Sequence, residues 1–174
     1  MSLIIGIDPG SRKTGFGIIS QVGSRQEYVT SGVIRLESFP TFPERLDNLY
    51  TCLMEVIGQW SPQEAAIEQV FMGRSASSAL KLGQARGVAM LAATQSKLPV
   101  SEYAARKIKQ AVVGKGGADK VQVQHMVQFL LKLPGLPQED AADALAVALC
   151  HANTQAGLIR VAGSRHSRRG RWLE

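Results

Sequence analysis

Leu3-Ile4-Ile5-Gly6-Ile7-Asp8-Pro9-Gly10-Ser11 opens the chain with an isoleucine-rich apolar run, as in a buried strand. Pro9-Gly10 closes the run as a turn. The residue before a proline is pushed into extended geometry, which fixes the Asp8 backbone at the end of the strand. Outward from here the pattern continues. Residues 14–20 and 28–36 read as second and third strands, with Gly23-Ser24 as the hairpin signal between them. Pro40 and Pro43 break the chain. Leu46, Leu49, Leu53, Val56 and Trp60 then recur at steps of three and four, as on one face of a helix, until Ser61-Pro62 stops it.

Residues 65–70 read as a fourth strand, 71–77 as a loop, 76–96 as a helix and 99–103 as a short fifth strand. Residues 104–113 are helical in pattern. Gly114 to Gly117 form a flexible break carrying Lys115, and 121–132 read as another helix. Pro134-Gly135-Leu136-Pro137 is a hard stop. The last helix is expected over about 138–154, with an apolar stripe at Ala141, Leu145, Ala148, Leu149 and Ala152. Three strands, a helix, a strand, a helix, a strand and further helices predict an α/β fold: a five-stranded mixed sheet flanked by helices. Gly83 and Gly87 each weaken their helix by about 1 kcal/mol relative to alanine. Close approach of another backbone is the expected compensation, from a second subunit or from the chain's own sheet.

Carboxylates are costly to bury unless paired or metal-bound. Asp8 and Glu68 both end apolar strands, where open α/β sheets place their ligand sites. Asp140 and Asp143 stand three apart in a helix's first turn, projecting to one side with the helix dipole favouring their charge. Alone, Asp-Pro-Gly is more often a plain turn, and first-turn acids are usually capping and dipole effects. Together they form an oxygen-rich set that selects Mg²⁺ or Mn²⁺. Two such ions roughly 4 Å apart can clamp an in-line displacement at phosphorus.

Composition agrees. The chain has 174 residues, 45% of them hydrophobic, enough for one domain with a real core and too many for a disordered chain. Lys plus Arg number 20 against 14 Asp plus Glu, a formal charge of +6. That balance suits a polyanionic partner, nucleic acid first, although modest positive charge also merely aids solubility. Cys52 and Cys150 have no CxxC or metal-like spacing and read as buried free thiols, which suits a reducing compartment. Neither a signal-peptide pattern nor the roughly 20 apolar residues of a membrane span is found, so a soluble cytoplasmic protein is expected. Arg160, Arg165, Arg168, Arg169 and Arg171 mark 159–174 as a basic, flexible tail after a single domain over 1–158.

With those residues in hand, the sequence closely resembles the RuvC family of Holliday junction resolvases, within the RNase H-like nuclease superfamily. The resemblance is carried by Gly6-Ile7-Asp8-Pro9-Gly10-Ser11, Thr14-Gly15-Phe16-Gly17, Ile67-Glu68-Gln69-Val70-Phe71 and Ala79-Leu80-Lys81-Leu82-Gly83-Gln84-Ala85-Arg86-Gly87. It continues through Glu102-Tyr103-Ala104-Ala105, Val121-Gln122-Val123-Gln124-His125-Met126 and Asp140-Ala141-Ala142-Asp143-Ala144-Leu145. The stretch around Thr41 and the basic tail carry no family motif. The resemblance implies a homodimer cutting two symmetry-related strands of a four-way DNA junction in recombination and repair. It also implies Asp8, Glu68, Asp140 and Asp143 as metal ligands, and a RuvA–RuvB branch-migration complex as partner.

Lys107, Lys109, Lys115 and Lys120 flank the glycine break and are candidate phosphate contacts. Lys109 and Lys120 match the basic positions the family uses near the scissile phosphate. The bland reading of the four is a solvated basic face. Phe71, in the family's Val-Phe-Met segment, is a candidate wedge against an unpaired base, and Arg74 a backbone contact. His125 and His151 read as ordinary helix residues and His166 as part of the tail. Two rival functions stand beside this one. An actin- or sugar-kinase-like nucleotide-binding protein also begins with a strand and Asp-x-Gly-Ser/Thr, but needs two lobes and roughly double the length. A non-catalytic junction-binding module would use the same basic face with purely structural acids.

Overall fold

The computed structural model describes residues 1–70 and 75–169, with side chains described as far as residue 158. Among the described residues, five strands and five helices follow in the order β1 (Ser2–Asp8), β2 (Lys13–Val22), β3 (Arg25–Arg35), α1 (Phe42–Trp60), β4 (Glu64–Glu68), α2 (Ala76–Gln95), β5 (Val100–Tyr103), α3 (Ala105–Val113), α4 (Lys120–Leu130) and α5 (Glu139–Arg169). The sheet runs in the order β3-β2-β1-β4-β5. The β1–β2 and β2–β3 pairs are antiparallel, and β1–β4 and β4–β5 are parallel. The expected mixed sheet is therefore present, with β1 at its centre.

Both faces of that sheet are covered. Ile5, Ile7, Ile18 and Ile67 face one core, closed by Leu49, Leu53 and Ile57 of α1 and by Ala85, Ala89, Ala92 and Ala93 of α2. Ile4, Ile19, Ala66 and Tyr103 face the other, closed by α3, α4 and α5. The β1 isoleucines thus fill two cores at once, which is why their run is apolar without alternation.

Local chemistry sets the helix ends. Thr41 caps α1 in a reciprocal box with Glu44, followed by Pro43 in the first turn. That box, Thr-x-x-Glu, was present in a stretch that carries no family motif. Asp119 and Gln122 form a second such box on α4. Arg86 of α2 pairs with Glu102 of β5, fastening that helix to the sheet edge.

Three expectations need correction. The fourth strand ends at Glu68, not at residue 70, because its neighbours run out: β1 pairs with it only as far as Ile67, and β5 stops at Tyr103. The last helix does not present one apolar stripe. Ala141, Ala142 and every residue from Ala144 to Ala152 are buried, because the sheet lies on one side and α3 and α4 on the other. That helix also runs on to Arg169, so the tail expected from residue 159 begins inside it. Gly157 weakens a helix by about 1 kcal/mol without breaking it.

Gly6, Gly15 and Gly17 explain how α5 lies so close to the strands. A Cβ on Gly6 would stand 2.1 Å from the Ala144 carbonyl oxygen, and one on Gly15 would stand 1.9 Å from that of Asp140. On Gly17 it would meet the Leu145 side chain at 2.7 Å. By contrast, among the described residues nothing lies within 4 Å of a Cβ placed on Gly83 or Gly87. Packing of that helical face against the chain's own sheet is thereby removed as their explanation.

Candidate active site

The sheet register assembles the site. Asp8 pairs across the ladder with Gly15, the residue on which the first turn of α5 rests. On the other side Ile7 pairs with Ile67, so Asp8 and Glu68 end adjacent parallel strands. Glu68 in turn pairs with Tyr103, after which the chain enters α3 and its lysines. Gln138 caps the start of α5: its side-chain oxygen accepts from the Ala141 N–H at 3.3 Å, and its amide donates to Asp140 Oδ2 at 2.9 Å.

A cavity of about 220 Å³ results, lined by Asp8, Glu68, Asp143, Lys109 and Lys120 over an apolar floor of Ala105, Ile108, Val123 and Ala146. Three of the four expected acids therefore meet in one place. Asp140 does not line the cavity; it stands a helical turn away, held by Gln138. Among the described residues, no three acidic, imidazole or thiol side chains converge on one ion-sized position as they stand.

The charges confirm the crowding. Burial, then the carboxylates of Glu68, Asp143 and Asp140, push Asp8 up to about 8 against the partial relief of Lys120. Burial and Asp143 push Glu68 upward, opposed by a hydrogen bond with Asp8 and by Lys109 and Lys120. Burial raises Asp143, with Lys120 opposing and Glu139 and Asp140 adding to the rise. Asp140 thus belongs to the electrostatics of the site without lining it.

The cations divide. Lys109 and Lys120 line the cavity, and Lys120 lies 3.7 Å from Asp143 Oδ2 while pairing with Glu139. Lys107 instead rests over the Tyr103 ring, 4.8 Å from its centre. Lys115 lines a separate groove with Val113, Val121 and Phe129. Phe71 and Arg74 lie outside the described residues, as does Arg171 of the tail.

Sequence patterns alone had missed two features. Glu139 touches Lys120 across 19 positions, which no local pattern reveals. His151 is not an ordinary helix residue: it is buried, its Nδ1 2.8 Å from the Tyr103 hydroxyl and its Nε2 2.9 Å from Glu64. The only hint was a histidine inside an otherwise apolar stretch.

The sequence matches the family described as crossover junction endodeoxyribonuclease RuvC over residues 4–151. The chain belongs to the RuvC family. It is 62% identical over 171 residues to the crossover junction endodeoxyribonuclease RuvC of Saccharophagus degradans, covering 98% of this chain and 99% of that protein. It is likewise 62% identical over 175 residues to RuvC of Teredinibacter turnerae, covering 98% and 99%. Among solved structures, Thermus thermophilus RuvC in complex with Holliday junction substrate superposes with a TM-score of 0.83 at 31% identity, covering 90% of this chain and 96% of that one. As a RuvC-family protein the chain is an endonuclease of crossover junctions with an RNase H-like fold. This membership sets aside both the nucleotide-binding and the non-catalytic readings. Among the described residues no helix is long and apolar enough to cross a membrane.

Proposed function

We propose that the chain resolves four-way DNA junctions as a homodimer, by paired and symmetric metal-dependent hydrolysis at Asp8, Glu68, Asp140 and Asp143. The observation that carries this reading is the joint placement of Asp8, Glu68, Asp143, Lys109 and Lys120 around one cavity. The donors are all carboxylate oxygens, the choice of hard divalent cations, and their mutual repulsion is what such cations relieve. The four acids would hold two Mg²⁺ ions, with Mn²⁺ able to substitute. Bound there, the ions supply charge neutralisation and water activation for in-line displacement, leaving 5′-phosphate and 3′-hydroxyl ends. Lys109 and Lys120 draw the scissile phosphate toward the acids.

The deciding experiment compares cleavage of a mobile four-way junction with that of linear duplex, with Mg²⁺ and with chelator. Paired nicks on the junction alone, lost in chelator, are the expected result; metal-independent cutting would overturn the assignment of the acids.

The homodimer reading is supported by α2. Leu80, Gly83, Gly87 and Leu91 share a face, and both leucines are exposed, at 70% and 48%. A two-fold dimer addresses the junction's two equivalent phosphates together. Phe71 serves as the wedge at the crossover, and Arg74, Lys107 and Lys115 as outlying contacts. The tail of 159–174 adds non-specific affinity through its arginines. Family membership supports RuvA–RuvB as partner, and the unpaired state of Cys52 and Cys150 supports a cytoplasmic location.

Lys109 makes no ion pair among the described residues. Lys109→Ala is therefore expected to weaken junction binding several-fold and to reduce the salt slope by about one. A titration over salt concentration reads both, and an unchanged slope places the phosphate elsewhere.

The raised carboxyls also predict a pH dependence. Asp8 ionises at about 8 in the folded chain against an ordinary 3.8. Between those values the folded state holds a proton that the unfolded state has lost, so stability falls as pH rises. Glu68 and Asp143 shift in the same direction. In chelator, Tm should fall between pH 5 and pH 8, and Mg²⁺ should recover more of it at pH 8. Thermal scans in both conditions check this; equal recovery at the two pH values would mean the acids do not share the ions.

A further inference from the structure

Lys120 is the first residue of α4, and Glu139 is the first residue of α5. Their side chains form an ion pair, and the same ammonium lies 3.7 Å from Asp143. Glu139 and Asp143 stand four apart on α5 and share a side of the helix, so the ammonium bridges them. A lysine at a helix start sits against the positive end of the dipole. Lys120 therefore needs a counter-charge from another element, and Glu139 supplies it.

This makes the two lysines of the cavity unlike one another. Lys109 makes no close ion pair among the described residues, although its charge acts on Glu68 and Asp143, whereas Lys120 already holds a carboxylate. Both members of the Lys120–Glu139 pair are well exposed, at 61% and 48%, so the pair can open without disturbing the core. The plainer account of Glu139 is that a carboxylate in a helix's first turn is favourable in itself. That account explains the residue type. It does not require Lys120 to be its partner.

We propose that Glu139 holds, in the DNA-free protein, the place on the Lys120 ammonium that a backbone phosphate of the junction takes, which makes Glu139 a residue that tunes substrate affinity. The proposal rests on the reading of Lys120 as a phosphate contact. Lys120 then gains only the difference between two ion pairs when DNA binds. Its engagement is an exchange of one anion for another and contributes little to the salt dependence. Removing Glu139 converts that exchange into an added contact.

A double-mutant cycle on junction binding, measured in chelator so that neither cleavage nor metal intervenes, tests this. The four proteins are the native chain, Glu139→Gln, Lys120→Gln and the double variant. Glu139→Gln is expected to tighten binding about fivefold when Lys120 is present and less than about twofold when it is not. It should also steepen the salt slope by about one, again only with Lys120 present. Far-ultraviolet circular dichroism and Tm confirm that each variant is folded. Equal tightening in both backgrounds would show general charge repulsion and overturn the exchange, while leaving Lys120 as a phosphate contact if its own loss weakens binding. No effect of Lys120→Gln in either background would overturn the exchange and the contact together, and would leave the metal-dependent cleavage reading standing.

Discussion

Asp8→Asn is expected to lower junction cleavage at least about 10³-fold while leaving junction binding intact or tighter. The amide matches the carboxyl in shape, so the β1 end and its pairing with Gly15 persist. What changes is charge. Asp8 is the acid most raised by its surroundings, pressed by Glu68, Asp143 and Asp140. Losing one negative charge removes repulsion toward DNA phosphate and toward the other acids. It also replaces a carboxylate by a neutral amide, which would hold a divalent cation less well. The variant should consequently show a higher Tm than the native chain in chelator at pH 8, and a smaller gain from Mg²⁺. Single-turnover cleavage, binding in chelator and thermal scans give three independent readings. Binding lost along with cleavage in a folded variant would mean that Asp8 has a structural role.

Gly15→Ala is the second large effect, at a residue that carries no chemistry. Its Cβ would lie 1.9 Å from the Asp140 oxygen and 2.6 Å from the Asp140 carbonyl carbon. These are backbone atoms, so relief comes only by moving the start of α5 away from the sheet. Overpacking of this kind costs about 1–3 kcal/mol, occasionally more. The same shift carries Asp140 and Asp143 away from Asp8, and a displacement of about 1 Å is enough for roughly 10²-fold in rate. Gly6→Ala makes the informative comparison. Its clash falls on Ala144 and Ala148, deeper along the helix, so its stability loss should be as large or larger. Cleavage rates taken well below Tm, beside Tm itself, separate the two contributions. A Gly15→Ala chain with native rate and native Tm would show that α5 is not seated as described.

These cases mark what could be read from the sequence. The strand ending in Asp8 was legible because its apolar run and its Asp-Pro-Gly stop are both local. So was the order of elements, from which the mixed sheet followed. The meeting of Asp8, Glu68 and Asp143 at one cavity was legible because strand ends and helix starts meet at one edge of such sheets. The seating of α5 was not. Nothing in Thr14-Gly15-Phe16-Gly17 says which helix will press on those glycines. Partners distant along the chain were hidden for the same reason: Lys120 and Glu139 belong to two different helices, and His151 meets Glu64 and Tyr103 only once the sheet has formed. The capping box at Thr41 was readable throughout, yet it sits in a stretch that carries no chemistry.

Between Ala141 and Ala152, α5 is enclosed on every side apart from Asp143, and its first two turns carry Asp140 and Asp143, two of the four candidate acids. Such a helix cannot detach while the remainder of the domain stays intact, so its amide protons should exchange with solvent only when the whole domain opens. Heat inactivation and global melting then coincide. A nuclease built this way is expected to leave no partly molten species able to nick DNA indiscriminately, because the event that loosens the domain also parts Asp140 and Asp143 from Asp8 and Glu68.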